Sequence, residues 1–421
     1  MQVKSILNSI EKHKSFVYSE VRWARYPGQP KRQELEVRLR PRKNSRPRCS
    51  GCHRPGPTYD RLPERRFEYV PLWMIPVFFL YAMRRVKCRR CGVVVEEVPF
   101  VQGKHRQTTS YRWFLAQWAR RLSWKQVGQI FGTSWDSVYQ AVLMAVLWGL
   151  QHRSLAGVQT IGIDEIQQLR GHHYLTLVYD LTAGRAKRLL YVGKERTAQS
   201  LRVFFQLLGQ QGRKALRFVC SDMWKPYLQE VQRMAGQAVH VLDRFHVMKK
   251  FNEAIDEVRR DEVRRLAQQG VEPVLRHARW CLLKRPENLT QAQATRLQEL
   301  LTYNLRSVRA YLLREEFQRF WEQRDPASAE QFLKSWCTRA LRSRLAPYKK
   351  VVGMLRSHQE LLLNWFKAEG ALSSAAVEGM NNNAKVVVRK AYGFRTFRAV
   401  EVALYHTLGD LPEPNFAHRF T

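Results

Sequence analysis

Acidic residues occur in or directly after apolar stretches at three points of the chain. Asp164 lies in IGIDEI, Asp222 follows LRFVCS and Asp243 follows AVHVL. Carboxylates brought close together repel one another and raise one another's pKa unless cations lie between them. Oxygen ligands of this kind suit Mg²⁺ or Mn²⁺. The pattern predicts a divalent-ion site, provided that the fold brings the carboxylates together.

The elements around these residues predict such a fold. QTIGIDEIQQ, HHYLTLVYDL and RAKRLLYVG have strand patterns, and they are followed by helix, strand, helix and strand. This is the order of an RNase H-like α/β sheet. Its first strand is central, with the fourth parallel beside it and the fifth beyond. We therefore expect Asp164 to approach Asp222, with Asp243 one strand further away. Successive side chains of a strand face opposite sides, so only one of Asp164 and Glu165 can join Asp222, and we expect it to be Asp164.

A third carboxylate is expected from a later helix. SSAAVEGMNNNAKVVVRKAYGFRTF predicts a helix that Ser373 or Ser374 can cap and that Gly393 ends. On this helix a carboxylate, an amide and two cations follow one another at spacings of four, three and four residues, which puts all four side chains on one face. An alternative is a solvated charged stripe, although three consecutive asparagines are a poor choice for helix stability alone. The four residues of this face are Glu378, Asn382, Lys385 and Arg389.

Four cysteines form a second candidate site of a different chemistry. Cys49 and Cys52 stand in CSGC, and Cys88 and Cys91 stand in CRRC. Two Cys-x-x-Cys pairs let four thiolates converge on one tetrahedral ion, and four thiolates leave no open position for catalysis. We predict one structural Zn²⁺; the alternative is four unligated cysteines. The three remaining cysteines lack such spacing and are predicted to be buried thiols.

LSWKQVGQIFGTSWDSVYQAV predicts a helix-turn-helix with its turn at Gly132. Val127, Ile130, Val138 and Val142 would form the apolar seam between the two helices. Side chains near the start of the second helix could then reach base edges of DNA. An ordinary helical hairpin is the alternative. The candidate DNA-binding residues here are Ser134, Trp135, Ser137 and Gln140.

Charge favours a polyanionic partner. The 421 residues include 72 Lys and Arg against 36 Asp and Glu, which gives a formal net charge of +36. An excess of one sign attracts nucleic acid first and an anionic membrane surface second. The longest apolar run, from Val70 to Met83, is shorter than the roughly 18 residues of a membrane span. No secretory signal is evident, so we expect a cytoplasmic, nucleoid-associated protein without membrane contact.

Together these motifs resemble bacterial insertion-sequence transposases of the DDE type, specifically the ISL-three family. The resemblance covers nearly the whole chain from Cys49 onward. It implies that Asp164, Asp222 and Glu378 form the catalytic triad and hold two Mg²⁺ or Mn²⁺ ions. LDRFHV matches an Asp-x-x-His element of such families, which gives Asp243 and His246 an accessory role or a purely structural one. The matching motifs are CSGC, CRRC, LSWKQVGQIFGTSWDSVYQAV, IGIDEI, SDMWKPY, LDRFHV and EGMNNNAKVVVRKAYGFRTF.

The expected fold class is multidomain α/β. It comprises an N-terminal zinc-binding module, a helix-turn-helix domain, an RNase H-like catalytic core, an all-helical insertion, and a C-terminal segment that completes the core and carries Glu378. Four tryptophans of the insertion, Trp280, Trp321, Trp336 and Trp365, are expected in its core, or one could stack on an unpaired base. The predicted boundaries are, in that order, 1–100, 101–155, 156–250, 251–370 and 371–421.

The expected function is transposition of an insertion sequence. The N-terminal modules would bind terminal inverted repeats, and the carboxylates would hold ions for cutting double-stranded DNA and joining it to target DNA. Handling two DNA ends implies a homodimer on DNA. Two alternatives are a non-catalytic sequence-specific regulator derived from a transposase and a structure-selective nuclease of the same fold.

Overall fold

A computed structural model describes most of the chain in two compact units. The first comprises Met1–Arg153, Lys390–Tyr392 and Arg398–Thr421, and the second comprises Ser154–Arg389 and Gly393–Phe397. None of the helices within the described residues is long and apolar enough to cross a membrane. The described residues are 3–26, 29–169, 173–270, 274–368, 374–390 and 394–415.

A helix and a six-stranded sheet begin the first unit. The strand order is β1-β2-β5-β6-β3, and β4 pairs with β5. Alternating apolar residues bury one face, where Phe79 stacks on Tyr69 with ring centroids 4.3 Å apart. The elements are α1 (Val3–Ile10), β1 (Phe16–Tyr26), β2 (Gln29–Pro41), β3 (Arg48–Cys49), β4 (Thr58–Leu72), β5 (Ile75–Cys88) and β6 (Gly92–Glu97).

Three helices follow: α2 (Thr109–Arg121), α3 (Trp124–Phe131) and α4 (Trp135–His152). Ser123 caps α3 in a capping box with Gln126, and Gly132 ends it in a left-handed conformation at φ 68°. Ser134 then caps α4. Val127, Val138 and Val142 are buried in the seam, but Ile130 is 44% exposed, so its predicted burial is wrong.

The second unit contains a five-stranded sheet in the order β11-β10-β7-β8-β9. β7 pairs antiparallel with β8, and β8 with β9, whereas β10 runs parallel to both β7 and β11. The first of these strands is thus central and the fourth lies beside it, as expected from the sequence. The elements are β7 (Thr160–Leu169), β8 (His173–Asp180), β9 (Arg188–Lys194), α5 (Ala198–Ala215), β10 (Phe218–Ser221), α6 (Lys225–Ala235) and β11 (Val239–Leu242).

Helices dominate the next part of the second unit. Trp336 and Trp321 are buried and Trp365 packs against the same core, as predicted, but Trp280 is 53% exposed. Short 3₁₀ turns occur at Pro286–Asn288 and Arg319–Glu322. The predicted burial of the three other cysteines, Cys220, Cys281 and Cys337, is confirmed. The helices are α7 (Arg244–Gln268), α8 (Arg279–Leu283), α9 (Gln291–Leu301), α10 (Arg306–Gln318), α11 (Pro326–Arg342), α12 (Ala346–Ser357) and α13 (Gln359–Lys367).

The last two helices are α14 (Ser374–Lys390) and α15 (Phe397–Leu408). Of the two predicted caps, Ser374 is the first residue of α14, whereas Ser373 lies outside the described residues, as does the predicted stop, Gly393. α14 packs closely on β7, because a Cβ added at Gly162 would lie 2.8 Å from a methyl group of Val377. The glycine therefore lets the helix approach the central strand. Most of α15 clusters with the first unit.

Candidate active site

The four predicted zinc ligands converge in the first unit. The Sγ atoms of Cys49, Cys52, Cys88 and Cys91 all lie within 4.8 Å of one another. Backbone N–H groups of Cys91 and Arg90 are the main cause of a pKa of about 6 at the Cys88 thiol. Four thiol groups at such distances are a donor set that fits a structural zinc ion.

Three carboxylates of the second unit lie in or directly after parallel strands: Asp164 lies within β7, Asp222 follows β10 and Asp243 follows β11. The β10–β7 pairing ends at Cys220 and Gly162, two residues before Asp222 and Asp164. The β10–β11 pairing ends at Ser221 and Leu242, one residue before Asp222 and Asp243. All three carboxylates therefore lie just beyond the carboxyl ends of the paired segments, where open α/β sheets bind ligands.

Asp164 is largely buried, with 14% of its side chain exposed. Burial raises its pKa; the charge of His246 and a backbone hydrogen bond from Glu165 oppose that rise, and the charges of Asp243 and Asp222 add to it. The backbone N–H of Glu165 donates to Oδ1 at 2.7 Å. Asp164 thus carries a desolvated carboxylate that a cation would stabilise.

Asp243 and His246 lie closer to Asp164 than the sequence indicated. Asp243 caps α7 by accepting the N–H of Phe245 at 2.8 Å. The first turn of α7 then places the imidazole between the two carboxylates, with Nδ1 3.5 Å from Asp243 Oδ2 and Nε2 3.9 Å from Asp164 Oδ1. Burial lowers the pKa of His246, but its close approach to Asp243 and the charges of the nearby carboxylates raise it overall.

Asp222 has different partners. Its Oδ1 accepts the N–H of Trp224 at 3.0 Å, and its Oδ2 lies 2.5 Å from Nη2 of Arg196. The same guanidinium contacts Glu165 through Nε at 2.6 Å and lies over the Trp224 ring. Burial and the charge of Asp222 raise the pKa of Glu165 to about 7, although Arg196 opposes this. Arg196 therefore bridges Asp222 to Glu165, not to Asp164.

The charged face predicted on α14 is exposed to solvent. Glu378, Asn382, Lys385 and Arg389 are all exposed. Asn381 is 5% exposed instead: its Nδ2 donates to Asp164 Oδ2, and its Oδ1 accepts from the Tyr179 hydroxyl at 2.8 Å. Asn381 was not identified from the sequence. The signal was available, because it lies four residues after Val377 and three before Ala384, on the buried stripe of the helix.

Arg196 was also missed, and it carried no comparable signal, because one arginine among many in a basic chain stands out by no pattern. The four side chains predicted to read bases in the first unit differ in exposure. Ser134 and Trp135 are exposed, whereas Ser137 and Gln140 are half-buried. The backbone carbonyl of Gln140 accepts a hydrogen bond from Arg112 at 3.0 Å.

A family model of ISL-three DDE type, described as "Transposase", matches residues 161–404, more than half of the chain. The chain belongs to the ISL-three family of transposases. The resemblance noted from the sequence is confirmed, and membership makes this chain a DNA-cutting and rejoining enzyme of the DDE class. The matched region includes every carboxylate of the predicted triad.

Two curated transposases resemble this ISL-three transposase over most of their length. The transposase for insertion sequence element IS1001 of Bordetella parapertussis is 28% identical over 93% of this chain and 95% of its own. That for IS1557 of Mycobacterium tuberculosis is 27% identical over 89% of each. A Drosophila P element transposase strand transfer complex matches with a TM-score of 0.38 and 9% identity, covering 73% of this chain and 92% of the other. A TM-score this low does not establish a shared fold.

Proposed function

We propose that this transposase binds the terminal inverted repeats of an insertion sequence and catalyses metal-dependent strand cleavage and strand transfer. One observation carries the proposal: Asp164 is buried on the central strand of the sheet, and two further carboxylates follow the neighbouring strands. The strand order β11-β10-β7-β8-β9 supports an RNase H-like core. Such clustered oxygen donors suit Mg²⁺ or Mn²⁺.

Asp164, Asp222 and Glu378 are the proposed catalytic residues and ion ligands. When bound, two divalent ions would activate the attacking oxygen and stabilise the leaving oxygen of a phosphodiester. The donor set fits such ions, since Asp164 is desolvated and Glu378 is exposed on a helix packed against the central strand. Asp222 is paired with Arg196, so its use as a ligand requires the guanidinium to exchange partners.

Exposed cations on α14 would hold the DNA backbone beside these carboxylates. Lys385 and Arg389 lie on the same face as Glu378 and can each bind a phosphate oxygen without reading sequence. Asn382 lies one turn from Glu378 and can donate its amide N–H groups to a phosphate or sugar. In this arrangement the helix aligns the backbone while the sheet supplies the carboxylates.

The first unit would recognise the element's ends. α3 and α4 have the short connection and caps of a helix-turn-helix, whose second helix would enter the major groove with Trp135 exposed at its first position. The cysteine cluster would hold one structural Zn²⁺. A homodimer on DNA would bring two ends together, and target DNA would be captured as double-stranded substrate in the cytoplasm, at the nucleoid.

The test is strand cleavage and joining on a labelled duplex that carries the element's own end, with Mg²⁺, Mn²⁺ or EDTA. Asp222→Asn is compared with wild type and with Asp261→Asn, which changes an exposed aspartate of α7. We expect metal-dependent cuts at the repeat boundary that Asp222→Asn abolishes, while its DNA binding and the activity of Asp261→Asn persist. Binding without cleavage under any metal would support a regulator. Cleavage that ignores the repeats would support a structure-selective nuclease.

A further inference from the structure

The second unit gathers two carboxylates and an imidazole around one point. Asp164 contributes from β7, Asp243 from the end of β11 and His246 from the first turn of α7. One ligand atom of each lies within 4.8 Å of those of the other two. Within the part of the chain that the structure describes, this cluster includes neither Asp222 nor Glu378. Asp243 and His246 therefore need an explanation other than the predicted triad.

We propose that Asp243 and His246 bind a divalent cation together with Asp164. The inference rests on the proposed function, because it assigns two further ligands to the ion at Asp164. It converts an accessory Asp-x-x-His pair into part of the metal site. The ligand set would be two carboxylate oxygens and one imidazole nitrogen. It would favour Mn²⁺ over Mg²⁺, because Mg²⁺ prefers oxygen ligands and imidazole suits transition metals.

Each of these side chains is held in place by a contact that leaves ligand capacity unused. Oδ1 of Asp243 accepts the backbone N–H of Phe245, and Oδ2 faces the imidazole. Asp164 receives the amide of Asn381, which the Tyr179 hydroxyl orients in turn. A carboxylate offers about four lone-pair sites, so one hydrogen bond to an oxygen does not prevent ligation. Partners that orient ligands in this way are typical of metal sites.

The imidazole is positioned for this role. Its Nδ1 and Nε2 lie 3.5 Å and 3.9 Å from the nearest carboxylate oxygens, distances longer than a good hydrogen bond. Nδ1 is buried and makes no hydrogen bond within the described residues. The imidazole and the two carboxylates are therefore far enough apart for small side-chain movements to bring all three onto one ion. The competing explanation is a fixed ion pair in which His246 only neutralises the carboxylates.

Mn²⁺ binding to the zinc-loaded full-length protein, followed by electron paramagnetic resonance without DNA, separates these explanations. Asp243→Ser removes the carboxylate and keeps a residue that caps α7, and His246→Gln removes the imidazole. We expect each to weaken Mn²⁺ binding at the Asp164 site at least about tenfold. Asp261→Asn should bind like wild type. Thermal unfolding of the zinc-loaded proteins without added Mn²⁺ identifies any variant that fails to fold, and the remaining one still decides the question.

Three outcomes overturn the inference. These are the absence of Mn²⁺ binding by wild type, wild-type affinity in both variants, and wild-type affinity in Asp164→Asn. If Asp164→Asn loses Mn²⁺ while the other two variants keep it, the ion uses Asp164 without this pair. Failure of the proposed function is separate: wild type would then bind Mn²⁺ but leave the element's end uncut.

Discussion

Asn381 and Asp164 are joined by a hydrogen bond from the amide of α14 to the carboxylate of β7. The Tyr179 hydroxyl donates to the other end of the same amide at 2.8 Å. Because the amide oxygen is occupied as an acceptor, the N–H group must face Asp164. The helix that carries Glu378 is thus tied to the central strand by a hydrogen bond of defined direction.

Asn381→Ala should slow strand cleavage about 10- to 100-fold, because Asp164 loses the group that orients it. DNA binding should stay unchanged, since the side chain is buried. Asn383→Ala changes an exposed asparagine of the same helix and is the matched control. Single-turnover cleavage and a DNA-binding isotherm measure both effects. Equal losses in the two variants would contradict a positioning role for Asn381.

The sheet was predictable because periodicity and order determine which strands are neighbours. Strand order also indicated that Asp164 and Asp222 lie near the same edge. It could not indicate that α7 starts at once after β11, which turns Asp243 and His246 toward Asp164. Side-chain partners beyond a strand's end depend on the turn that follows, and the sequence pattern carries no record of that geometry.

Arg196→Ala should destabilise the metal-free protein by about 1–3 kcal/mol, since Glu165 and Asp222 lose the cation that hydrogen-bonds to both. Mn²⁺ should then raise the unfolding temperature more than it does in wild type, because the ion replaces the missing positive charge. Arg202→Ala removes an arginine of similar exposure from its ion pair with the buried Glu230 and is the control. An identical Mn²⁺ response in all three proteins would show that Arg196 does not compete with the metal.

Cys49→Ser should release zinc and weaken DNA binding without changing the second unit. Cys49 is fully buried within the cysteine cluster, and loss of one thiolate removes a quarter of the ligand set. Zinc content is measured by atomic absorption and DNA affinity by fluorescence anisotropy. Cys281→Ser alters a buried thiol outside the cluster and should retain one zinc per chain. Full zinc content in Cys49→Ser would refute the proposed ligand set.

Trp135→Ala should weaken binding to the terminal repeat roughly tenfold, in line with loss of one specific base contact. Stability should change by less than about 0.5 kcal/mol, because 59% of the side chain is exposed. The control is Trp280→Ala, which removes an exposed tryptophan of the second unit. Binding is measured on an intact duplex, so that no unpaired base is available for Trp280 to stack on. Competition with unrelated DNA shows whether the loss is specific to the repeat. An unchanged affinity would show that Trp135 makes no specific contact with the repeat.

His406 of α15 makes the free energy of unfolding depend on pH. Burial, and then the positive charges of Arg120 and Lys390, lower its pKa to about 3. Between the ordinary pKa of about 6.5 and this value, the unfolded chain binds a proton that the folded protein does not. The side chain therefore contributes stability above pH 6.5 that is lost as the pH falls toward 3.

His406→Leu should remove this loss. The wild-type free energy of unfolding should fall more steeply between pH 6.5 and pH 4.5 than that of the variant, by up to about 1.4 kcal/mol per pH unit. His152→Gln, at an exposed site on α4, should keep the wild-type slope. The acid sensitivity of so basic a chain is common to all three proteins, so the difference between slopes isolates His406. Parallel slopes for wild type and His406→Leu would mean that folding does not lower the pKa of His406.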